Sequence, residues 1–351
     1  MPKENQEKLE KNWVDKVAVM IGNGKSTLSE KSIMLYSQRI KRIWKLIHPN
    51  KPYKGKFFIH KEVKKIIDAI DKSDMAISSK AGLYAALGSL YNKDSYGIHL
   101  QGKKMYEREL KKWSDLVKCQ EKKQVNTKKE VEKWKTPEEL EEGRRKLLEA
   151  AEKSGNIKDY RDYVMFSLFV LVPPRRSTDY GEMKITLNKE RKGNSLLYQY
   201  HRGQKRFSKF VFNEYKLSEK KGSEVFDRVF MKNLPRGKEI IELLDGWLLM
   251  NNDGYFLLDA RNSSHMSKAI TRVSEKALGT PVNINSFRHM YISNFLDTSP
   301  FLLEKEMIAK YMSHSVAQQE NYRKRPTKKK VVELEGDAAE VKAELKCGNV
   351  T

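Results

Sequence analysis

The chain has 351 residues, with 69 Lys plus Arg against 46 Asp plus Glu, a formal charge of +23. Its 39% hydrophobic and 10% aromatic content supports packed cores and excludes a globally disordered chain, and the length argues for two domains. The charge calls for a polyanionic partner, nucleic acid first, and no apolar run approaches the roughly 18 residues of a membrane helix.

The N-terminus, Met1 to Asn5, leads into charged sequence without the apolar core of a signal peptide. Cys119 and Cys347 are the two cysteines, too few for a disulfide framework or a cysteine zinc cluster, which fits an intracellular compartment. Seven scattered His show no metal-ligand spacing, and neither GxxxxGK[ST] nor GxGxxG occurs. The expectation is chemistry by side chains alone, with no metal and no cofactor.

Ile33, Tyr36, Ile40, Ile43 and Ile47 recur at spacings of 3 and 4, one apolar stripe on a helix, with Ser29 as its cap. Further helices are expected near 60–72, 78–91 (capped by Ser78 or Ser79) and 98–122, together a small bundle with Lys on its outer faces. Residues 120–135 are polar and charged and read as a linker able to wrap around a cylinder-shaped ligand. Thr136-Pro137-Glu138-Glu139 then opens a new helix, with Thr as cap, Pro at the first helical position and acids against the dipole. A helix at 158–171 is apolar almost all round and must be buried; Pro173-Pro174 stops it. Strands are expected near 183–188, 196–201 and 207–212, the last two a hairpin whose basic tip is Arg202-Gly203-Gln204-Lys205. Helices near 237–249, 264–278, 285–296, 303–312 and 316–323 follow. Residues 323–330 carry six basic residues of eight, and 331–346 read as a short amphipathic helix. The fold class is therefore mainly α with a small antiparallel sheet (α+β).

Three stretches of the second half carry polar residues suited to chemistry: Pro173-Pro174-Arg175-Arg176-Ser177-Thr178-Asp179-Tyr180, Asn285-Ser286-Phe287-Arg288-His289, and Ser313-His314-Ser315 with Tyr322 eight residues after His314. Taken singly, each has an ordinary structural reading as a solvated arginine pair, a helix cap or a half-buried tyrosine. Their order and spacing together resemble the tyrosine recombinases, the phage-integrase type of site-specific DNA recombinase. That pattern runs Arg, a hairpin Lys, His-x-x-Arg, His or Trp, then a nucleophilic Tyr. Over roughly 136–325 the form is most similar to recombinases of large DNA viruses, virophages and related mobile elements.

The resemblance implies that residues 1–122 are a helical DNA core-binding domain, 123–135 a linker and 136–325 the catalytic domain. Residues 326–351 would be a basic segment and a C-terminal helix exchanged between protomers or docked on their own body. It implies DNA cleavage and rejoining through a 3′-phosphotyrosine, without metal or ATP. Tyr322 would be the nucleophile, Arg176 and Arg288 would hold the phosphate oxygens, and His314 would hydrogen-bond the phosphate. Arg176 rather than Arg175 fits because Asp179 follows it by three. Lys205 is the residue nearest the family's acid for the leaving oxygen, with Arg202 and Lys209 as alternatives. Asn285 stands where the pattern has its first His; Asn can donate a hydrogen bond but cannot shuttle a proton. Asp179 would orient an arginine, His289 would act from behind the site, and Arg175 and Arg202 would contact DNA. The partners implied are double-stranded DNA and further copies of the chain, two on a site and four in synapsis. The location implied is intracellular at DNA, the host nucleus for a viral protein. Competing readings are a type IB topoisomerase, which works as a monomer, and a non-catalytic DNA-binding relative.

Overall fold

The computed structural model describes residues 30–51, 58–91, 100–124, 128–187, 192–251, 254–258 and 263–324. The Ser29 cap, most of the basic 323–330 run and the helix expected at 331–346 lie outside them. The described chain forms two compact units that divide between Lys123 and Gln124. Among the described residues no helix is long and apolar enough to cross a membrane.

The first unit holds α1 (Glu30–Ile47), α2 (Phe58–Lys61), α3 (Val63–Asp71), α4 (Ile77–Tyr91) and α5 (Leu100–Lys123). The stripe of α1 buries Ile40, Ile43 and Ile47 as its spacing requires, against Ile66, Ile70, Leu83 and Leu87. One helix was expected near 60–72; the chain instead breaks at Glu62 into α2 and α3. Ser78 and Ser79 fall inside the first turn of α4 rather than capping it. Asp71 anchors the bundle, accepting from Tyr84 Oη at 2.8 Å, Lys112 Nζ at 2.9 Å and Trp113 Nε1 at 2.9 Å.

The second unit begins with α6 (Lys128–Lys133), α7 (Pro137–Ser154), α8 (Ile157–Val170) and α9 (Ser177–Gly181). Much of the expected linker is thus helical and belongs to this unit: Trp134 packs on its core, and Lys135 N meets Met290 Sδ at 3.1 Å. Thr136 and Glu139 form a reciprocal capping box at the start of α7, and Gly155 ends it at φ +60°. Helix α8 is buried on nearly every side from Asp162 to Phe169, as its all-round apolar sequence demands.

The sheet runs β1 (Lys184–Thr186), β2 (Ser195–His201), β3 (Gln204–Phe212) and β4 (Glu224–Asp227) in that spatial order. It is mixed rather than purely antiparallel, because β1 pairs parallel to β2 while β2/β3 and β3/β4 are antiparallel. Strand β4 had no counterpart in the sequence reading. The β2–β3 turn has two residues, Arg202 and Gly203, both at positive φ (+49° and +77°), the backbone that suits the twist of a tight hairpin. Lys205 therefore sits within β3, opposite Tyr200, and not in the turn. Helices α10 (Ser218–Lys221), α11 (Arg228–Asn233), α12 (Gly237–Met250), α13 (Ser263–Leu278), α14 (Ile284–Asp297), α15 (Leu302–Tyr311) and α16 (Val316–Tyr322) complete the unit. Its core joins Phe166, Phe169, Tyr180, Phe207, Phe210, Phe212, Trp247 and Phe287 from helices and sheet alike.

Candidate active site

Two backbone stops set the site. Pro173-Pro174 ends the buried path of α8 and sends the next residues out extended, so that Arg176 precedes α9 at φ −76° and ψ 158°. Between α15 and α16 the chain turns through Ser313 at φ +54°, and Ser315 caps α16 by accepting from Gln318 N at 3.2 Å. Helix α14, capped by Asn283, lies between these turns in sequence and carries Arg288 one turn in.

The adjacent arginines have opposite fates. Arg175 is wholly buried. Its Nε donates to Asp179 Oδ2 at 2.8 Å, one Nη to the Tyr311 carbonyl, and the other Nη to Glu224 Oε2 at 3.0 Å. The guanidinium lies 3.9 Å from the Phe212 ring centroid. This geometry corrects one expectation, since Arg175 is buried and not available to DNA; Asp179 does orient an arginine, and that arginine is Arg175, four residues before it. Arg176 is half-buried, and its charge acts on both Arg288 and His314.

Arg288 is also wholly buried. One Nη donates to the Pro174 carbonyl, tying α14 to the double-proline turn, and Nε donates to Tyr322 Oη at 3.3 Å. Nη2 is buried without a hydrogen-bond partner. Burial pulls this guanidinium below the ordinary arginine value; Tyr322 opposes the shift and the Arg176 charge adds to it.

His314 stacks on Tyr322, with ring centroids 5.7 Å apart and planes 25° from parallel. Its Nδ1 donates to the Ser315 carbonyl at 3.0 Å, and Nε2 is buried without a partner. Burial first, then the Arg288 charge, with Arg176 and Lys221 adding, pushes its pKa down to about 4. It is neutral at pH 7, with the proton on Nδ1 and a lone pair on Nε2. Ser313 Oγ donates to Glu224 Oε1 at 3.0 Å, so one carboxylate holds both Arg175 and the turn that carries His314. Glu224 was missed by the sequence reading, and it lies on the missed strand.

The structure thus brings Arg176, Arg288, His314 and Tyr322 together. His289 also meets Tyr322, its Nδ1 2.7 Å from the Tyr322 carbonyl. Lys205 has its ammonium 5.4 Å from the Tyr198 ring centroid. Among the described residues no hydrogen bond or ion pair joins it to Arg288, His314 or Tyr322. The hairpin is anchored at Phe207, whose N–H donates to Asp245 Oδ1 at 2.7 Å; Arg202, Gln204 and Lys205 extend beyond that anchor. Asn285 is exposed in the first turn of α14, and Arg202 is exposed at the hairpin turn.

No family model matches the chain, and no curated protein matches it. Among solved structures it is similar to a XerA recombinase, at 13% identity and a TM-score of 0.36, covering 97% of this chain and 100% of that one.

Proposed function

We propose that this chain cleaves and rejoins DNA strands with Tyr322 as nucleophile. The observation that carries the reading is a pair of buried nitrogens without partners, Arg288 Nη2 and His314 Nε2, flanking a tyrosine whose hydroxyl already accepts from Arg288 Nε. Desolvating a guanidinium edge without a partner costs free energy, and a phosphate oxygen is the ligand that would repay it. Arg288 offers the planar fork that a phosphate matches, and Arg176 adds a second cation beside it.

Tyr322 Oη would attack phosphorus and lose its proton, while the bond from phosphorus to the 5′-oxygen breaks and that oxygen takes up a proton. The covalent 3′-phosphotyrosine keeps the ester energy, so a 5′-hydroxyl can reverse the step. The Arg288 guanidinium, set by its bond to Pro174, meets the charge that grows on the non-bridging oxygens, the largest kind of catalytic contribution. His314 donates to a phosphate oxygen only when Nε2 is protonated, and an arriving phosphate anion favours that form. Lys205 is our candidate acid for the leaving oxygen. Asn285 would donate to the phosphate without relaying protons. Double-stranded DNA is the proposed substrate, and the Pro-Pro-Arg-Arg form supports a role in integrating a viral or mobile element.

The test is covalent capture from nicked duplexes of randomised sequence. DNA that resists denaturant but is freed by protease is recovered and sequenced. Wild type is expected to yield a defined site, and Tyr322→Phe none. Capture by Tyr322→Phe at the wild-type level would place the nucleophile elsewhere. No capture by wild type, with salt-sensitive DNA binding retained, would favour a non-catalytic DNA-binding relative.

A further inference from the structure

The chain around Tyr322 is gripped along one face of α14. His289, Ser293 and Asp297 are spaced by four, so they share a face of that helix. His289 Nδ1 donates to the Tyr322 carbonyl at 2.7 Å, Lys324 N donates to Ser293 Oγ at 2.8 Å, and Arg323 Nη2 donates to Asp297 Oδ1 at 2.9 Å. His289 and Tyr322 rings also meet, with centroids 5.0 Å apart. Three consecutive residues, from the end of α16 onward, are thus held by three successive turns of the helix that also carries Arg288.

From this ladder we infer that His289 and Ser293 are positioning residues that fix the register of Tyr322, so that the nucleophile reacts in the protomer whose Arg288 it touches. The inference rests on the proposed DNA cleavage for its consequence, but the ladder itself does not. The three rungs differ in weight. Ser293 is buried, at 2% exposure, and His289 is half-buried, so these two rungs are the less exposed ones. The Arg323–Asp297 pair is half exposed and adds direction more than strength. Of the three, His289 matters most, because its neighbour in sequence is Arg288. One helical step therefore sets the hydroxyl and the guanidinium together, and a slip of one residue would carry Tyr322 Oη away from Arg288 Nε.

The experiment has two readouts on the full chain. Hydrogen exchange of the peptide covering 320–324 needs no DNA. Loss of either less exposed rung, by His289→Ala or Ser293→Ala, is expected to speed exchange there while α8 and the sheet stay protected. Unchanged exchange in both variants would overturn the ladder whether or not the chain cleaves DNA. The second readout is single-turnover adduct formation on the duplex captured from wild type. His289→Ala is expected to slow it by about 10- to 100-fold, the scale on which a misplaced reacting group acts, with DNA affinity unchanged. His289→Asn, whose Nδ2 can replace Nδ1 as donor, should restore most of the rate. Equal rates for wild type and His289→Ala would overturn the positioning role. Mixing Tyr322→Phe with Arg288→Ala should give no adduct; recovery of adduct would show that the nucleophile crosses between protomers and would overturn the inference. An inert wild type would refute the cleavage reading, and the exchange result would still decide the ladder.

Discussion

Replacing Arg175 by Leu tests how the site is built. The guanidinium is fully buried, shares its nitrogens among Asp179, Glu224 and the Tyr311 carbonyl, and lies over Phe212. Leu leaves the Asp179 carboxylate, 2% exposed, and the Glu224 carboxylate, 14% exposed, without their cation. Removing one partner of such a buried pair costs about 3–5 kcal/mol. At about 2–4 °C per kcal/mol for a unit of this size, the melting midpoint of the second unit should fall by roughly 6–20 °C. The same substitution at Arg176, half-buried next door, should stay within about 0.5 kcal/mol of wild type while abolishing covalent capture. Calorimetry of the full chain reads both. The double variant Arg175→Leu/Asp179→Leu should recover part of the loss, since it removes one stranded charge. An Arg175→Leu protein that melts within a degree or two of wild type would refute the buried clasp and reopen the choice between the two arginines.

Further outcomes follow from other parts of the structure. His314, with its pKa pushed from 6.5 down to about 4, stays neutral in the folded chain while the unfolded chain takes up the proton. Folding stability should therefore rise with pH across that window, by at most about 3 kcal/mol, and be lost as pH falls through it; His289, also shifted down mainly by burial, adds in the same direction. Between pH 7 and pH 4 the melting midpoint of wild type should fall more steeply than that of His314→Gln, and parallel curves would contradict the assignment. A Cβ at Gly237 would stand 2.0 Å from the Met231 carbonyl oxygen, so Gly237→Ala should cost about 1–3 kcal/mol by overpacking, read by urea unfolding; an unchanged midpoint would refute it. Asp245→Ala removes the acceptor of Phe207 N, Arg206 and Arg228, and should loosen the hairpin, seen as faster hydrogen exchange at 198–207 with the helices unaffected; unchanged exchange would show that the anchor lies elsewhere.

Much of this architecture can be read from short-range pattern. The α1 stripe, the Thr136 cap and the apolar α8 are local statements, because each depends on residues within a turn or two. What escaped depends on partners far along the chain. Arg175 and Arg176 are equivalent in sequence, and Asp179 stands three after one and four after the other. Which arginine turns inward is decided by Glu224 and Tyr311, which the chain brings in from 49 and 136 residues away. Strand β4 is four residues long and has only Phe226 buried, too short for alternation to mark it. Gly203 signalled the hairpin turn, but Arg202 at φ +49° gave no signal, since only a few residue types favour that backbone. The grouping of Arg288, His314 and Tyr322 was expected only through the order of the motifs.

In the proposed reaction Tyr322 bonds covalently to a DNA phosphorus and frees a 5′-hydroxyl. Mass spectrometry of the trypsin- and nuclease-digested adduct tests it most directly. The expected products are a nucleotide remnant on the peptide containing Tyr322 and a released strand whose 5′ end a kinase labels without prior phosphatase treatment. A remnant on any other residue, or a released strand that needs phosphatase first, would contradict it.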